Sequence, residues 1–129
     1  MTDSKRGTKQ VGDEGERLAA SYLVTQGYQV RERNWRYSNV GELDIVAEEG
    51  GTLVFVEVRT RRGSGAAGLA EESVGPAKQR KLAALAYAYL DAHPADSECA
   101  WRIDVLAVQL VGSQPRFSLY RDAVGEVDA

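Results

Sequence analysis

The chain has 129 residues, 43% hydrophobic and 27% charged, which is the balance of one domain with a single core and flexible ends at about 1–11 and 122–129. No apolar run approaches the roughly 18 residues of a membrane span, and the polar start lacks a signal peptide's apolar segment, so we expect a cytoplasmic protein. The single cysteine excludes an internal disulfide, and the net charge of -3 argues against a generally basic nucleic-acid binder.

The first predicted element is a helix that opens at Asp13 and runs to about Gln26, with Gly27 as its C-terminal cap. Asp13 and Glu16 match a capping box, in which the Glu16 carboxylate would only close the helix start. Glu16 also lies on the helix face that should meet the sheet. Its carboxylate therefore has a second interpretation, as a ligand that reaches a metal site.

A strand from Tyr28 to about Tyr37 comes next, followed by a hairpin with strands at 41–47 and 53–59. The connection contains Gly50-Gly51, a pair suited to a two-residue turn because both positions need positive φ. Alternation then places one apolar face on the core. The residues predicted for that face are Leu43, Ile45, Ala47, Val54, Val56 and Val58.

The same register sets Asp44 opposite Glu57. Two carboxylates about 5 Å apart at an effective dielectric near 20 repel by roughly 3 kcal/mol, a repulsion that a divalent cation between them would reverse. Two hard oxygen ligands suit Mg²⁺ or Mn²⁺, and the carbonyl of Val58 is a candidate third ligand. The alternative is a solvated pair of acids on an exposed face.

Arg59 shares a face with Glu57 and lies opposite Glu42 in this register. Its guanidinium could hold a phosphate or stabilise developing negative charge. The alternative is a cross-strand ion pair with Glu42, and the two roles are compatible.

A loop over 63–75 follows, interpreted either as a binding segment or as plain disorder. A second helix is predicted from Pro76 to near His93, with His93 as a C-terminal cap, and then strands at 101–109 and about 116–120. The order is αβββαββ. It predicts an α/β fold, a mixed sheet flanked by a helix on each side.

The second helix begins with a basic cluster, in which Lys78, Arg80 and Lys81 oppose the helix dipole. An anion docked at this end would explain that arrangement, and solvated surface charge is the alternative. Gln79 leans toward the sheet and could orient a water or a phosphate oxygen.

Two further sets of charges stand out. Arg102 and Asp104 alternate with apolar residues, so they share a face and are expected to pair. Further arginines near the strands could grip a nucleic-acid backbone. These are Arg31, Arg33, Arg36, Arg61 and Arg62.

Taken as a set, several segments resemble the YraN-like family of uncharacterised bacterial proteins over about residues 12 to 110. The segments are Gly15-Glu16, Arg33-Asn34-Trp35-Arg36, Gly41-Glu42-Leu43-Asp44-Ile45-Val46-Ala47, Val54-Phe55-Val56-Glu57-Val58-Arg59, Lys78-Gln79-Arg80-Lys81 and Arg102-Ile103-Asp104-Val105. The resemblance implies a restriction-endonuclease-like fold, similar to archaeal Holliday-junction resolvases and the PD-(D/E)xK nucleases.

In that superfamily pattern, the resemblance implies that Asp44, Glu57 and Glu16 are metal ligands for Mg²⁺ or Mn²⁺. Arg59 departs from the pattern because lysine usually stands there, and arginine can clamp a phosphate but stays charged. The junction-cutting relatives also suggest a homodimer.

The leading hypothesis is a metal-dependent nuclease that hydrolyses phosphodiester bonds of DNA, with branched or structured nucleic acid as a candidate substrate. Asp44, Glu57, Arg59 and Gln79 would form the catalytic site. The first alternative is a non-catalytic nucleic-acid-binding module on a degenerate nuclease fold, which Arg59 favours. The second is a protein-interaction domain, which the acidic net charge favours.

Overall fold

The computed structural model describes residues 3–63 and 74–124, with side chains from residue 12 onward. Most of the predicted 63–75 loop and most of the predicted flexible end at 122–129 lie outside the described residues. The elements are α1 (Asp3–Thr25), β1 (Gln29–Tyr37), β2 (Gly41–Glu49), β3 (Thr52–Arg62), α2 (Pro76–Ala92), a 3-10 turn (Pro94–Asp96), β4 (Trp101–Val111) and β5 (Gln114–Tyr120). This confirms the αβββαββ order. Neither described helix is long and apolar enough to cross a membrane.

Helix α1 begins ten residues earlier than predicted, at Asp3 rather than Asp13. The preceding polar residues contain no proline, so nothing in them interrupts the helical hydrogen bonds. The capping-box interpretation of Glu16 is therefore wrong, because Asp13 lies inside the helix. The predicted end is confirmed, since Gly27 has φ 93° and the Tyr28 N–H donates to the Leu23 carbonyl at 3.0 Å, which closes a Schellman motif.

The five strands form one sheet in the order β1-β2-β3-β4-β5, in which only β3 and β4 run parallel. The hairpin register is the predicted one, because Ile45 pairs with Val56 and Glu49 with Thr52 around the Gly50-Gly51 turn. Both glycines have positive φ, as a two-residue turn of this kind requires.

Each face of the sheet carries its own core cluster beneath one helix. Under α1, Leu23 packs with Ile45, Val54 and Leu106. Under α2, the cluster includes Tyr89 and Phe55. The helix on each face of the sheet is thus as predicted, and α2 begins at Pro76 and ends before the capping residue His93.

Strands β1 and β2 switch faces together at the level of Asn34 and Asp44. Arg33 and its partner Ile45 lie on the α1 side, whereas Trp35 and its partner Leu43 lie on the α2 side. Strict alternation would keep each set on one face. The predicted place of Leu43 on the Ile45 face is therefore wrong, because Asn34 between the two pairs has a left-handed φ of 56°.

Candidate metal centre

Asp44 lies where the β2–β3 pairing stops, one residue before the Ile45–Val56 pair. Its Oδ2 accepts the backbone N–H of Val58 at 2.9 Å. Burial and then the neighbouring Glu57 carboxylate raise the pKa of Asp44 to about 8. Val58, predicted as a carbonyl ligand, meets Asp44 through its N–H. The two acids chosen from the sequence are thus neighbours in a poorly solvated place.

Glu57 is buried and faces two cations. Lys78 Nζ, from the first turn of α2, lies 3.3 Å from Glu57 Oε2, and Arg59 Nη1 lies 4.0 Å from the same oxygen. Lys78 and Arg59 come from different elements, so they converge on Glu57 only in the folded chain. Both are residues for which the sequence predicts phosphate or backbone contact.

Glu16 reaches the same region from α1. Its Oε1 accepts Asn34 Nδ2 at 2.6 Å and lies 3.9 Å from Arg33 Nη2, while burial raises the pKa of its carboxyl. Gly15 permits this approach, because a Cβ there would lie 2.0 Å from Thr60 Oγ1. Of the two interpretations of Glu16, the one that turns it toward the site fits this geometry.

Glu42 is the acid that the sequence predicts as an ion-pair partner of Arg59 and not as a metal ligand. One carboxylate oxygen each of Glu16, Glu42 and Asp44 lie within 4.8 Å of one another. In the folded chain, Glu42 Oε2 lies 3.3 Å from Arg36 Nη2. Its spacing of two residues from Asp44 is the available signal, since such residues share a face of a regular strand.

We call Glu16, Glu42, Asp44 and Glu57 the acidic cluster. Ligand oxygens about 2.1 Å from a magnesium ion are about 3 to 4.2 Å apart, so small side-chain shifts would bring the 4.8 Å group to ligand distance. The donors are hard carboxylate oxygens, which suit Mg²⁺ or Mn²⁺. A cation would also favour the ionised form of Asp44, whose pKa burial and then the Glu57 carboxylate raise. The residues present therefore fit a divalent metal.

The predicted cationic residues divide into two groups. Arg33, Arg36, Arg59 and Lys78 approach members of the acidic cluster. Arg31 instead pairs with Asp96 at 3.0 Å, and Arg62 lies 3.9 Å from Glu14. The first group is placed to meet an anion bound at the cluster.

The remaining predicted residues lie at the start of α2 and the end of β3. Gln79 donates its amide to the Val74 carbonyl at 2.6 Å, so it fixes the chain before the helix. Lys81 lies across Gly41, where a Cβ would be 2.7 Å from Lys81 Cε. Arg61 and Arg80 are exposed.

The chain belongs to the uncharacterised protein family UPF0102, whose family model matches residues 15–108. It is 52% identical over 100 residues to a UPF0102 protein of Roseiflexus castenholzii, covering 78% of this chain and 79% of the relative. It is also 43% identical over 118 residues to one from Dehalococcoides mccartyi, covering 92% and 95% of the two chains. These matches agree with the resemblance to an uncharacterised bacterial family.

Proposed function

We propose that this UPF0102 member is a metal-dependent nuclease that hydrolyses phosphodiester bonds of DNA. The observation that carries the proposal is the acidic cluster, in which four carboxylates converge beside Lys78 and Arg59. Carboxylates that lie close together in a poorly solvated place destabilise a fold. A ligand of opposite charge is therefore the best explanation for their convergence.

Glu16, Glu42 and Asp44 would hold the metal, and Glu57, the fourth member of the acidic cluster, lies beside Asp44. A bound Mg²⁺ or Mn²⁺ would supply a Lewis acid for the phosphate oxygen and lower the pKa of an attacking water. The Val58 N–H fixes the orientation of the Asp44 carboxylate, and Asn34 does the same for Glu16.

Arg59 and Lys78 would contact the scissile phosphate from the side of Glu57. Arginine at position 59 binds phosphate as a fixed fork but does not give up its proton. Lys78 brings a primary ammonium to within 3.3 Å of Glu57, so a lysine reaches the second acid from α2 instead of from β3. This approach supports an active enzyme despite Arg59.

Arg33, Arg36, Arg61, Arg80 and Lys81 would hold the flanking backbone. Neutralised phosphates release counterions, so binding should weaken steeply with salt. Arg31 is removed from this set because it pairs with Asp96 beside Tyr89.

The second candidate is a non-catalytic nucleic-acid-binding module on a degenerate nuclease fold. Arg59, in place of the usual lysine, is the feature that favours it. This module would keep the basic surface and the salt-dependent binding, but it would not cleave nucleic acid in the presence of any divalent metal ion.

Cleavage assays separate the two candidates. Purified protein is incubated with branched, duplex and single-stranded DNA and with RNA, in Mn²⁺, Mg²⁺ or EDTA, alongside Asp44→Asn and Arg59→Lys. Glu48→Gln is the matched control, since Glu48 lies on the same strand and ion-pairs with Arg31.

Metal-dependent cleavage lost in Asp44→Asn and kept in Glu48→Gln supports the nuclease. Cleavage gained only in Arg59→Lys supports the degenerate module. Failure to bind any nucleic acid at low salt contradicts both. The cytoplasmic location and the homodimer stay predictions, and gel filtration tests the second.

A further inference from the structure

An aromatic pair stands at the end of β1 next to the acidic cluster. The rings of Trp35 and Tyr37 are stacked with centroids 6.0 Å apart and planes 13° apart. Trp35 is held in turn by an edge contact with Tyr89 at 5.1 Å. Tyr37 remains 45% exposed, and the neighbouring Val40 is 43% exposed. The buried Tyr89 therefore supports Trp35, which in turn supports the partly exposed ring of Tyr37.

A lysine of α2 lies against the backbone that pairs with Tyr37. Tyr37 pairs across the β1–β2 ladder with Gly41, and the Lys81 side chain lies across Gly41. Arg36 precedes Tyr37 and lies 3.3 Å from Glu42 of the acidic cluster. Single-strand-binding proteins use exposed aromatic rings near cations, with the ring under a base and the cations on the backbone.

The ring is also close to the acidic cluster along the strand. Gly41, the partner of Tyr37, is three residues from Asp44, or about 10 Å at about 3.3 Å per residue. Stacked nucleotides rise about 3.4 Å each, so about three of them span this gap. On α2, Lys81 and Lys78 are one turn apart and mark the same path, from Gly41 to Glu57.

We propose that Tyr37, supported by Trp35, stacks on an unpaired nucleobase within about three nucleotides of the phosphate at the acidic cluster. The substrate class is then single-stranded nucleic acid, or a fork or branch with unpaired nucleotides, because bases inside a continuous duplex are already stacked on one another. This inference rests on the proposed nuclease function and deepens it.

Binding measured in EDTA tests the stacking apart from cleavage. Fluorescence anisotropy compares a labelled single strand, the same strand with abasic sites, a forked duplex and a blunt duplex. The variants are Tyr37→Ala, Tyr37→Phe and Lys81→Ala. Tyr87→Ala is the matched control, because Tyr87 is an exposed tyrosine of α2 that packs on Trp101 instead.

We expect Tyr37→Ala to weaken binding to the single strand and the fork by about 5- to 100-fold and to the blunt duplex by less than about 2-fold. Tyr37→Phe and Tyr87→Ala should bind like the wild type. Tyr37→Ala should leave the salt slope unchanged, whereas Lys81→Ala should lower it by about one. Abasic substrate should weaken wild-type binding by the same factor, a result that needs no variant to fold.

Equal single-strand affinity in Tyr37→Ala and the wild type, or equal losses on every substrate including the abasic strand, would overturn the stacking. If metal-dependent cleavage persists in either case, the proposed nuclease function is still supported. Failure of the stacking proposal can therefore be distinguished from failure of the nuclease proposal. Absence of binding to all four substrates overturns both.

Discussion

Asp44 and Asp104 are two aspartates of the same sheet with opposite surroundings. Asp104 is 0% exposed and accepts the Tyr28 hydroxyl at 2.7 Å, Arg102 Nε at 3.0 Å and the Asp122 N–H at 2.8 Å. Asp44 accepts the Val58 N–H and otherwise faces acids. One aspartate lies among donors and the other among like charges.

The group around Asp104, which we call the Asp104 network, extends to the surface. Arg102 also donates to Glu49 at 2.6 Å, and Arg121 reaches the same carboxylate and lies over the Tyr28 ring. Burial, as the larger cause, and the Asp104 hydrogen bond raise the pKa of Tyr28 to about 12. This network joins β4 to the start of β1 and the residues after β5, so its role is stability.

The contrast shows how one sheet uses buried charge in two ways. A satisfied network holds distant segments together, whereas a cluster of like charges opposes folding until a proton or a ligand of opposite charge neutralises part of it. Removing a charge should therefore have opposite effects on stability in the two places.

The largest effect should come from Asp104→Ala. It leaves the Tyr28 hydroxyl and Arg102 without their buried acceptor, so the free energy of unfolding should fall by about 3 kcal/mol. Urea denaturation measures it, with Asp91→Ala on exposed α2 surface as the control. A loss under about 1 kcal/mol would mean that the network is not structurally important.

The second-largest effect on stability should come from the addition of divalent metal. Mg²⁺ or Mn²⁺ at 100 times its dissociation constant should add about 2.7 kcal/mol to the free energy of unfolding, because only the folded chain assembles the acidic cluster. Glu42→Gln should reduce this gain and Glu48→Gln should not. Thermal melts with and without metal test it, and equal gains in both variants would exclude Glu42 as a ligand.

A third change moves Glu16 away from Asp44. In Gly15→Ala the new Cβ would sit 2.0 Å from Thr60 Oγ1, so overpacking should destabilise the fold by about 2 kcal/mol and weaken metal binding. Adding Thr60→Ala to the Gly15→Ala variant should restore part of the lost stability. Gly12→Ala is the control, since its Cβ would meet nothing within 4 Å and should stabilise α1 by about 0.5 to 1 kcal/mol.

The last prediction concerns pH in the metal-free protein. The Asp44 carboxyl keeps its proton up to about pH 8 when folded but releases it near its ordinary pKa of 3.8 when unfolded. The folded state therefore binds more protons between these values, and the free energy of unfolding should fall as pH rises through them.

Asp44→Asn should flatten this slope and be more stable than the wild type at pH 9, since asparagine carries no charge and can still accept the Val58 N–H. Denaturation series at several pH values in EDTA measure it. Parallel wild-type and Asp44→Asn curves would show that Asp44 is ionised at neutral pH, while Glu48→Gln should keep the wild-type slope.

Local chemistry is enough to predict much of the fold. Gly27 ends α1, Pro76 starts α2, and Gly50-Gly51 with the alternation of apolar residues sets the hairpin register. These features depend on neighbouring residues, so a sequence displays them directly. The same register predicts that Asp44 and Glu57 are neighbours, as they are in the folded chain.

Long-range contacts decided the rest. Glu42 enters the acidic cluster because Glu16 approaches it and Asp44 from another element, α1. Leu43 packs under α2 because β1 and β2 switch faces at Asn34, whose left-handed conformation a strand pattern does not reveal. Glu16 enters only because Gly15 lets α1 close on Thr60, and Lys78 meets Glu57 from α2. The sequence by itself therefore determined the elements and pointed to three of the four acids, Glu16, Asp44 and Glu57. Tertiary packing added Glu42 and decided which cations meet the cluster, because a site assembled from separate elements depends on distances that only the folded chain fixes.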